Sequence, residues 1–375
     1  MNALPPRLRS RVALGLTAVA AEGRFALQVC NSCGKVHYPA QEICGACLGD
    51  DLRWKDVAPE GVVIARTGVH QSLEPGFSGS LPLTTGLVRH VSGATLLCFL
   101  HPDCLPDIPV HLHLRLDRGG SAVPVATPRD IDLKQEASLA HFSRSARGQN
   151  VLITDASHEA GQACARALVA AGAAKVWLGM PDCSVSAADA AGTPVLLNTD
   201  DPGAVRQALS PLAPQIDLIL FTPTREPAAD ARPGDSLAAF ALFAEALAPA
   251  LEARRGGWVS VLSAAAFALP PRQAAFAARM AALDALSRGL RARLLAAGGH
   301  LMIAYPGPLD LPTIPARPAP KLPVDRLGQA IVRALDQGVE DLFPDPVSQD
   351  LRARALSAPK ALERELAQMA DDNWR

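Results

Sequence analysis

Residues 150–179 read NVLITDASHEAGQACARALVAAGAAKVWLG. Val151 to Thr154 is an aliphatic run that ends in a turn. Ala and Leu then recur at helical spacing, and a second apolar run occupies Lys175–Leu178. Strand, turn, helix and strand in this order make a βαβ unit. The pattern continues downstream with TPVLLNTD at 193–200, a helix around Val205–Leu212, IDLILFT at 216–222, GWVSVLSA at 257–264 and HLMIAYPG at 300–307. Helices are predicted around 235–252 and 273–296. Strands that are apolar throughout fit burial on both faces, and their alternation with helices predicts a doubly wound, Rossmann-like parallel α/β sheet.

This sheet needs little more than half of the chain. The protein has 375 residues, 49% hydrophobic and 19% charged, which excludes global disorder and suggests two domains. We divide it into an N-terminal domain over 1–126, a polar linker over 127–148 and the α/β domain over 149–375. A net charge of −1 and 4% aromatic residues argue against a nucleic-acid or membrane-surface binder. No apolar run approaches the roughly 18–20 residues of a membrane span. Arg7, Arg9 and Arg11 before VALGLTAVAA (12–21) mimic an export signal. The run is short, however, and is read as an amphipathic helix.

Four of the eight cysteines form two C-x2-C pairs, Cys30/Cys33 and Cys44/Cys47, separated by ten residues. Each turn can point two thiolates at one ion, so together they predict a closed, structural zinc site with no position left for water. Thiolate ligation implies a reducing, cytoplasmic setting. Cys98, Cys104, Cys164 and Cys183 are read as small buried hydrophobes. Strand-like runs follow at 61–70, 83–91, 94–100 and 110–116 and suggest a small barrel of about five strands. In VHLHLRL, His111, His113 and Arg115 alternate with apolar residues, the period of a half-buried strand, and His111 and His113 are expected on a solvated strand face rather than as a metal pair. The Gly-, Ser-, Pro- and Leu-containing stretch 72–82 reads as a barrel loop.

Residues from about 5 to 126 resemble the acyl-CoA-associated zinc-ribbon/OB-fold family, the domain-of-unknown-function-35 group. The shared features are CNSC, Pro39, CGAC, Leu52-Arg53-Trp54 and Gly61-Val62-Val63. The resemblance implies an accessory subunit that docks on a thiolase-fold enzyme, with acyl-CoA shared with that partner.

Residues from about 149 to 370 resemble the short-chain dehydrogenases/reductases. PGPLDLP at 306–312 matches that family's turn after its sixth strand, and the tail at 340–367 is similar to tails in the family. The family's cofactor turn is Thr-Gly-x-x-x-Gly-x-Gly. Here Thr154 and Gly161 remain, but Asp155 and Glu159 replace the first two glycines. Their side chains and charge oppose a pyrophosphate, so NAD(P) is not expected. Both acids can instead cap or solvate the helix that follows. The family's catalytic Asn, Ser, Tyr and Lys fall on Ser236, Ser263, Phe276 and Met280. Phe276 has no hydroxyl and Met280 no charge, so no proton relay remains. Tyr305 has no spacing that makes it a substitute acid.

In that family the two Ala- and Leu-rich helices pair subunits, which implies a homodimer or heterodimer through 235–252 and 273–296. The expected function is therefore a non-catalytic scaffold subunit of an acyl-CoA-processing complex. The competing readings are an inactive partner of an active hydroxyacyl-CoA dehydrogenase and a divergent NAD(P)-dependent reductase.

Overall fold

The computed structural model describes residues 10, 12–73, 81–117, 120–131, 144–182, 191–223, 234–268, 273–311 and 320–372. Cys183 and most of the 72–82 loop lie outside this set, as do residues 132–143 of the expected linker. The chain divides into two compact units. One is Met1–Arg144 with Asp336–Val339; the other is Ser145–Leu335 with Glu340–Arg375.

The first unit begins with α1 (Leu14–Ala21), then β1 (Ala26–Cys30), β2 (Val36–His37) and β3 (Leu52–Asp56) in antiparallel order β2-β1-β3. The sequence of α1, LGLTAVAA, carries no polar face, so it is not amphipathic as expected. It buries Leu16, Val19 and Ala20 against Leu114 and Ala122. A side chain at Gly15 would collide with the Trp54 indole, so the helix sits directly on β3.

Five strands close the expected barrel: β4 (Glu60–Val69), β5 (Leu83–His90), β6 (Thr95–Leu100), β7 (Pro109–Leu116) and β8 (Ala122–Pro128). Their order is β4-β5-β6-β8-β7. The sequence pattern shows four of these, whereas AVPVATP (β8) was hidden by its two prolines. Inward Val63, Val88, Leu96, Leu112 and Ala126 fill the interior. β6 and β8 pair only through Phe99–Val125 and Leu100–Ala126, so the barrel wall parts between the remaining residues of these two strands.

The face of His111, His113 and Arg115 is not solvated as expected. Arg115 is only 8% exposed and His113 is half-buried, opposite Val123 and Val125, which are themselves buried. Alternation along a strand shows that two faces differ, but not that one of them meets water.

The second unit is the expected parallel sheet. Its strands are β9 (Asn150–Ile153), β10 (Lys175–Met180), β11 (Thr193–Leu196), β12 (Leu218–Phe221), β13 (Gly257–Val261), β14 (His300–Ala304) and, after the short β15 (Leu309–Asp310) and β16 (Leu322–Pro323), β17 (Asp341–Leu342). Their order is β11-β10-β9-β12-β13-β14-β17, with the reversal between β9 and β12. This is the doubly wound order, and its switch point lies at the β9 turn. The helices are α2 (Glu159–Ala170), α3 (Pro202–Leu209), α4 (Gly234–Arg254), α5 (Ala274–Ala297), α6 (Val324–Asp336), α7 (Pro346–Ser357) and α8 (Pro359–Asp372).

Trp258 anchors the core, stacked on Phe221 at 6.0 Å and edge-on to Phe240 at 5.3 Å. Its indole N–H donates to Ser260 Oγ at 2.9 Å, and Ser260 meets Ser287 Oγ at 2.8 Å. The buried polar groups are thus paired, which removes the cost of burying them.

One expectation about length is corrected. Ser236–Arg254 of α4 has a mean hydropathy of 1.4 over 19 residues, long and apolar enough to cross a membrane by length and composition. Glu245 and Glu252 interrupt the run, which hides it from a search for unbroken apolar stretches. The helix sends Phe240, Phe243, Leu247 and Leu251 into the sheet core.

Candidate functional sites

The four ribbon cysteines converge. Their sulfur atoms all lie within 4.8 Å of one another. Cys30 and Cys47 are 3.6 Å apart, as are Cys33 and Cys44. A tetrahedron with Zn–S bonds of about 2.3 Å has S···S edges of about 3.8 Å, close to the two 3.6 Å separations, so the set has the size and donors that zinc needs. The donor chemistry agrees. Burial pushes the Cys44 thiol up, but amides of Ala46 and Cys47 and the His37 ring outweigh it and hold the thiol at about 6. An amide from Gly49 favours the Cys47 thiolate, but Cys33 and Cys30 beside it push its pKa up to about 12. A bound cation favours the thiolate form of each sulfur that coordinates it. All four positions come from the protein, so the site is closed and structural.

A pair of side chains braces the second knuckle. Gln28, 4% exposed, donates to Gln41 O at 2.8 Å and accepts from Gln41 N at 2.8 Å. Next to it in the sheet, His37 Nε2 lies 3.2 Å from Cys44 Sγ. Sequence reasoning passed over both residues; a buried Gln and His on strands that flank a Cys knuckle were the available signal.

A cavity of about 430 Å³ opens where β6 and β8 part. Its walls include Leu16 of α1, Tyr38 and His37 of the ribbon, Trp54, Phe99 and Val123. Among the described residues that line it there is no Lys or Arg, and Asp117 is one of them. An apolar, uncharged group suits it better than a phosphate.

In the second unit the glycine-poor turn has been rebuilt around its own side chains. Asp155 Oδ1 accepts from Ser157 N at 2.9 Å and from Ser157 Oγ at 2.6 Å. Asp155 and Glu159, the expected candidates, do not cap α2; its cap is His158, whose Nδ1 accepts from Gly161 N at 3.1 Å. Glu159 is the first helical residue. Gly161 alone keeps the reason for being glycine. A Cβ there would stand 2.6 Å from Asp155 O, so the helix could not lie so close to the turn. Thr154 is buried and accepts from Thr222 N at 3.2 Å.

At the expected tetrad positions, Ser263, Phe276 and Met280 make structural contacts. Ser263 caps the 3-10 turn Ala264–Ala266, its Oγ accepting from Ala265 N at 3.2 Å. Met280 is 1% exposed in the sheet core, and Phe276, one turn earlier on α5, packs on the same cluster. Ser236 is half-buried in the first turn of α4. Tyr305, 2% exposed, donates to Asp284 Oδ1 at 2.5 Å and accepts from Arg288 at 3.0 Å. Burial, with Asp341 and Asp284 nearby, raises its pKa far above that of a free phenol, opposite to what a proton-transferring tyrosine needs. Cys98, Cys104 and Cys164 are buried as expected.

Residues 17–53 match the family model described as ChsH2, rubredoxin-like zinc ribbon domain. The N-terminal unit carries a ChsH2-type zinc ribbon. A short-chain dehydrogenase of Burkholderia cenocepacia J2315 in complex with NADP is similar in structure, with 24% identity, a TM-score of 0.53, and coverage of 59% of this chain and 98% of that one. The second unit thus has the short-chain dehydrogenase fold. A gluconate 5-dehydrogenase of the same organism covers 56% of the chain and 99% of its own at 21% identity and a TM-score of 0.46. The Ltp2-ChsH2(DUF35) aldolase covers 33% of this chain and 98% of its own, at 24% identity and a TM-score of 0.29. No curated protein sequence matches the chain.

Proposed function

We propose that this protein is a non-catalytic accessory subunit of a cytoplasmic acyl-CoA-processing complex. The ribbon and barrel dock on a thiolase-fold enzyme, and that partner supplies the nucleophile for carbon–carbon bond cleavage. The zinc holds the docking domain in shape. The reductase-like unit serves as scaffold and pairs with a second subunit through α4 and α5.

One observation carries the reading: a ChsH2-type ribbon is joined to a reductase fold whose Tyr and Lys positions are Phe276 and Met280. Two further features support it. His158, Asp155 and Glu159 fill the turn that would hold a dinucleotide phosphate. On α5, Ala278, Ala281, Ala285, Gly289 and Ala292 are exposed at helical spacing, which lets a second helix approach closely.

Purification of the tagged full chain from its native host, with partners identified by mass spectrometry, tests the proposal. A stoichiometric thiolase-fold protein is the expected result. Turnover of a ketoacyl-CoA with NADPH by the isolated chain would overturn it. The small-residue face of α5 also suits pairing with a complete, active reductase, and recovery of such a reductase in place of the thiolase-fold protein would select that arrangement.

A further inference from the structure

The Cys44 sulfur receives more than its knuckle provides. In each knuckle, backbone amides point at the first sulfur: those of Ser32 and Cys33 at Cys30, and those of Ala46 and Cys47 at Cys44. Cys44 alone has in addition an imidazole nitrogen, His37 Nε2, at 3.2 Å. The ring is 8% exposed, and its backbone is fixed by pairing with Gln28, whose side chain clamps Gln41. A metal-bound thiolate is an acceptor only, so the proton between the two atoms belongs to His37 Nε2.

We propose that His37 is a positioning residue of the metal centre. It donates an N–H···S hydrogen bond to the metal-bound Cys44 thiolate and stays outside the coordination sphere. The inference rests on the structural-zinc reading and goes beyond it by assigning a fifth residue to the site. Two physical consequences follow. The bond withdraws charge from one of four thiolates around a divalent ion, lowering the repulsion that an all-cysteine ligand set carries. It also ties the second knuckle to β2, so that the sulfur is aimed before metal arrives, and a preorganised ligand costs less to bind. Because His37 lines the cavity wall as well, one ring joins the metal centre to the apolar pocket.

The test uses the full chain with His37→Phe, which keeps a planar ring without a donor, and His37→Gln, which keeps an N–H. Zinc affinity is read by competition with a chromophoric chelator, and the thiolate-to-metal charge-transfer bands are read on the cobalt(II) form. The phenylalanine variant is expected to lose roughly 10–100-fold in zinc affinity and to shift the charge-transfer bands, while the glutamine variant recovers much of both.

Unchanged affinity and bands in His37→Phe, with one zinc per wild-type chain, would overturn the role of His37 and leave the zinc site standing. A wild-type chain that binds no zinc would overturn both. If His37→Phe does not fold, the wild-type protein decides the matter. With cadmium-113 in the site, a scalar coupling between the metal and the His37 Nε2 proton supports the hydrogen bond. Direct metal–nitrogen ligation, or no coupling at all, overturns it.

Discussion

His158 Nδ1 accepts a 3.1 Å hydrogen bond from Gly161 N, so a side chain of the protein caps α2 where a dinucleotide-binding turn presents bare amides to a pyrophosphate. Asp155 and Glu159 add negative charge to the same turn. Titration with NADPH, followed by nucleotide fluorescence, is expected to give no saturable change. The combined Asp155→Gly, His158→Ser and Glu159→Gly variant should gain measurable affinity. Tight NADPH binding by the unaltered chain would refute this account of the turn.

Elemental analysis is expected to find one zinc per chain. Cys30→Ser or Cys44→Ser should release it, because three thiolates leave the tetrahedron open. Metal removal should lower the thermal transition of the ribbon sharply, since binding energy at a structural site is folding energy. Metal-free protein with an unchanged transition would sink the prediction.

Tyr305 is stacked on Phe343 at 5.2 Å and bonded to Asp284 and Arg288. Tyr305→Phe keeps the ring and strips the hydroxyl from a charged pair. The expected cost is about 1–3 kcal/mol, measured by urea unfolding of the variant and the wild type. A change below a few tenths would mean that Asp284 and Arg288 satisfy each other without it.

His113 is held neutral. Burial first, then Arg115 and His111, press its pKa down to about 2. Arg115 donates to its Nδ1 at 3.4 Å, so Nε2 carries the proton and donates to Thr127 Oγ1 at 3.1 Å. The native state therefore binds fewer protons than the unfolded chain between about pH 2 and 6.5. In that window stability rises with pH and is lost on acidification. Between about pH 6.5 and 4.5 the loss from this group is on the order of 2 kcal/mol. His113→Gln should flatten that part of the stability–pH curve. An equally steep curve in the variant would assign the acid sensitivity elsewhere.

The parts of this molecule that are legible in its sequence share one property: their signal is local. The βαβ opening at 150–179 repeats at helix and strand periods, and the C-x2-C pairs lie within eighteen residues. Phe276 and Met280 stand at fixed spacings from Ser263. What escaped was set by contacts between distant segments. β8 contains Pro124 and Pro128, yet it completes the barrel through antiparallel pairing with β7 and a short parallel pairing with β6. Asp155 and Glu159 were natural candidates for the α2 cap, but an acid can cap only when its backbone is extended and one step before the helix. His158 has that conformation, at φ −114° and ψ 161°.

Sequence alone determined that there are two units, which four cysteines form the metal set, and that Phe276 and Met280 stand where the resembled family has Tyr and Lys. Each of these is a matter of which atoms a residue carries and how far along the chain it stands. Tertiary structure alone decided that Arg115 and His113 lie on a buried face and that His37 reaches the Cys44 sulfur. It also placed the cavity at the gap between β6 and β8. Burial and proximity depend on what the rest of the chain packs against a residue, and periodicity reports only that one face differs from the other.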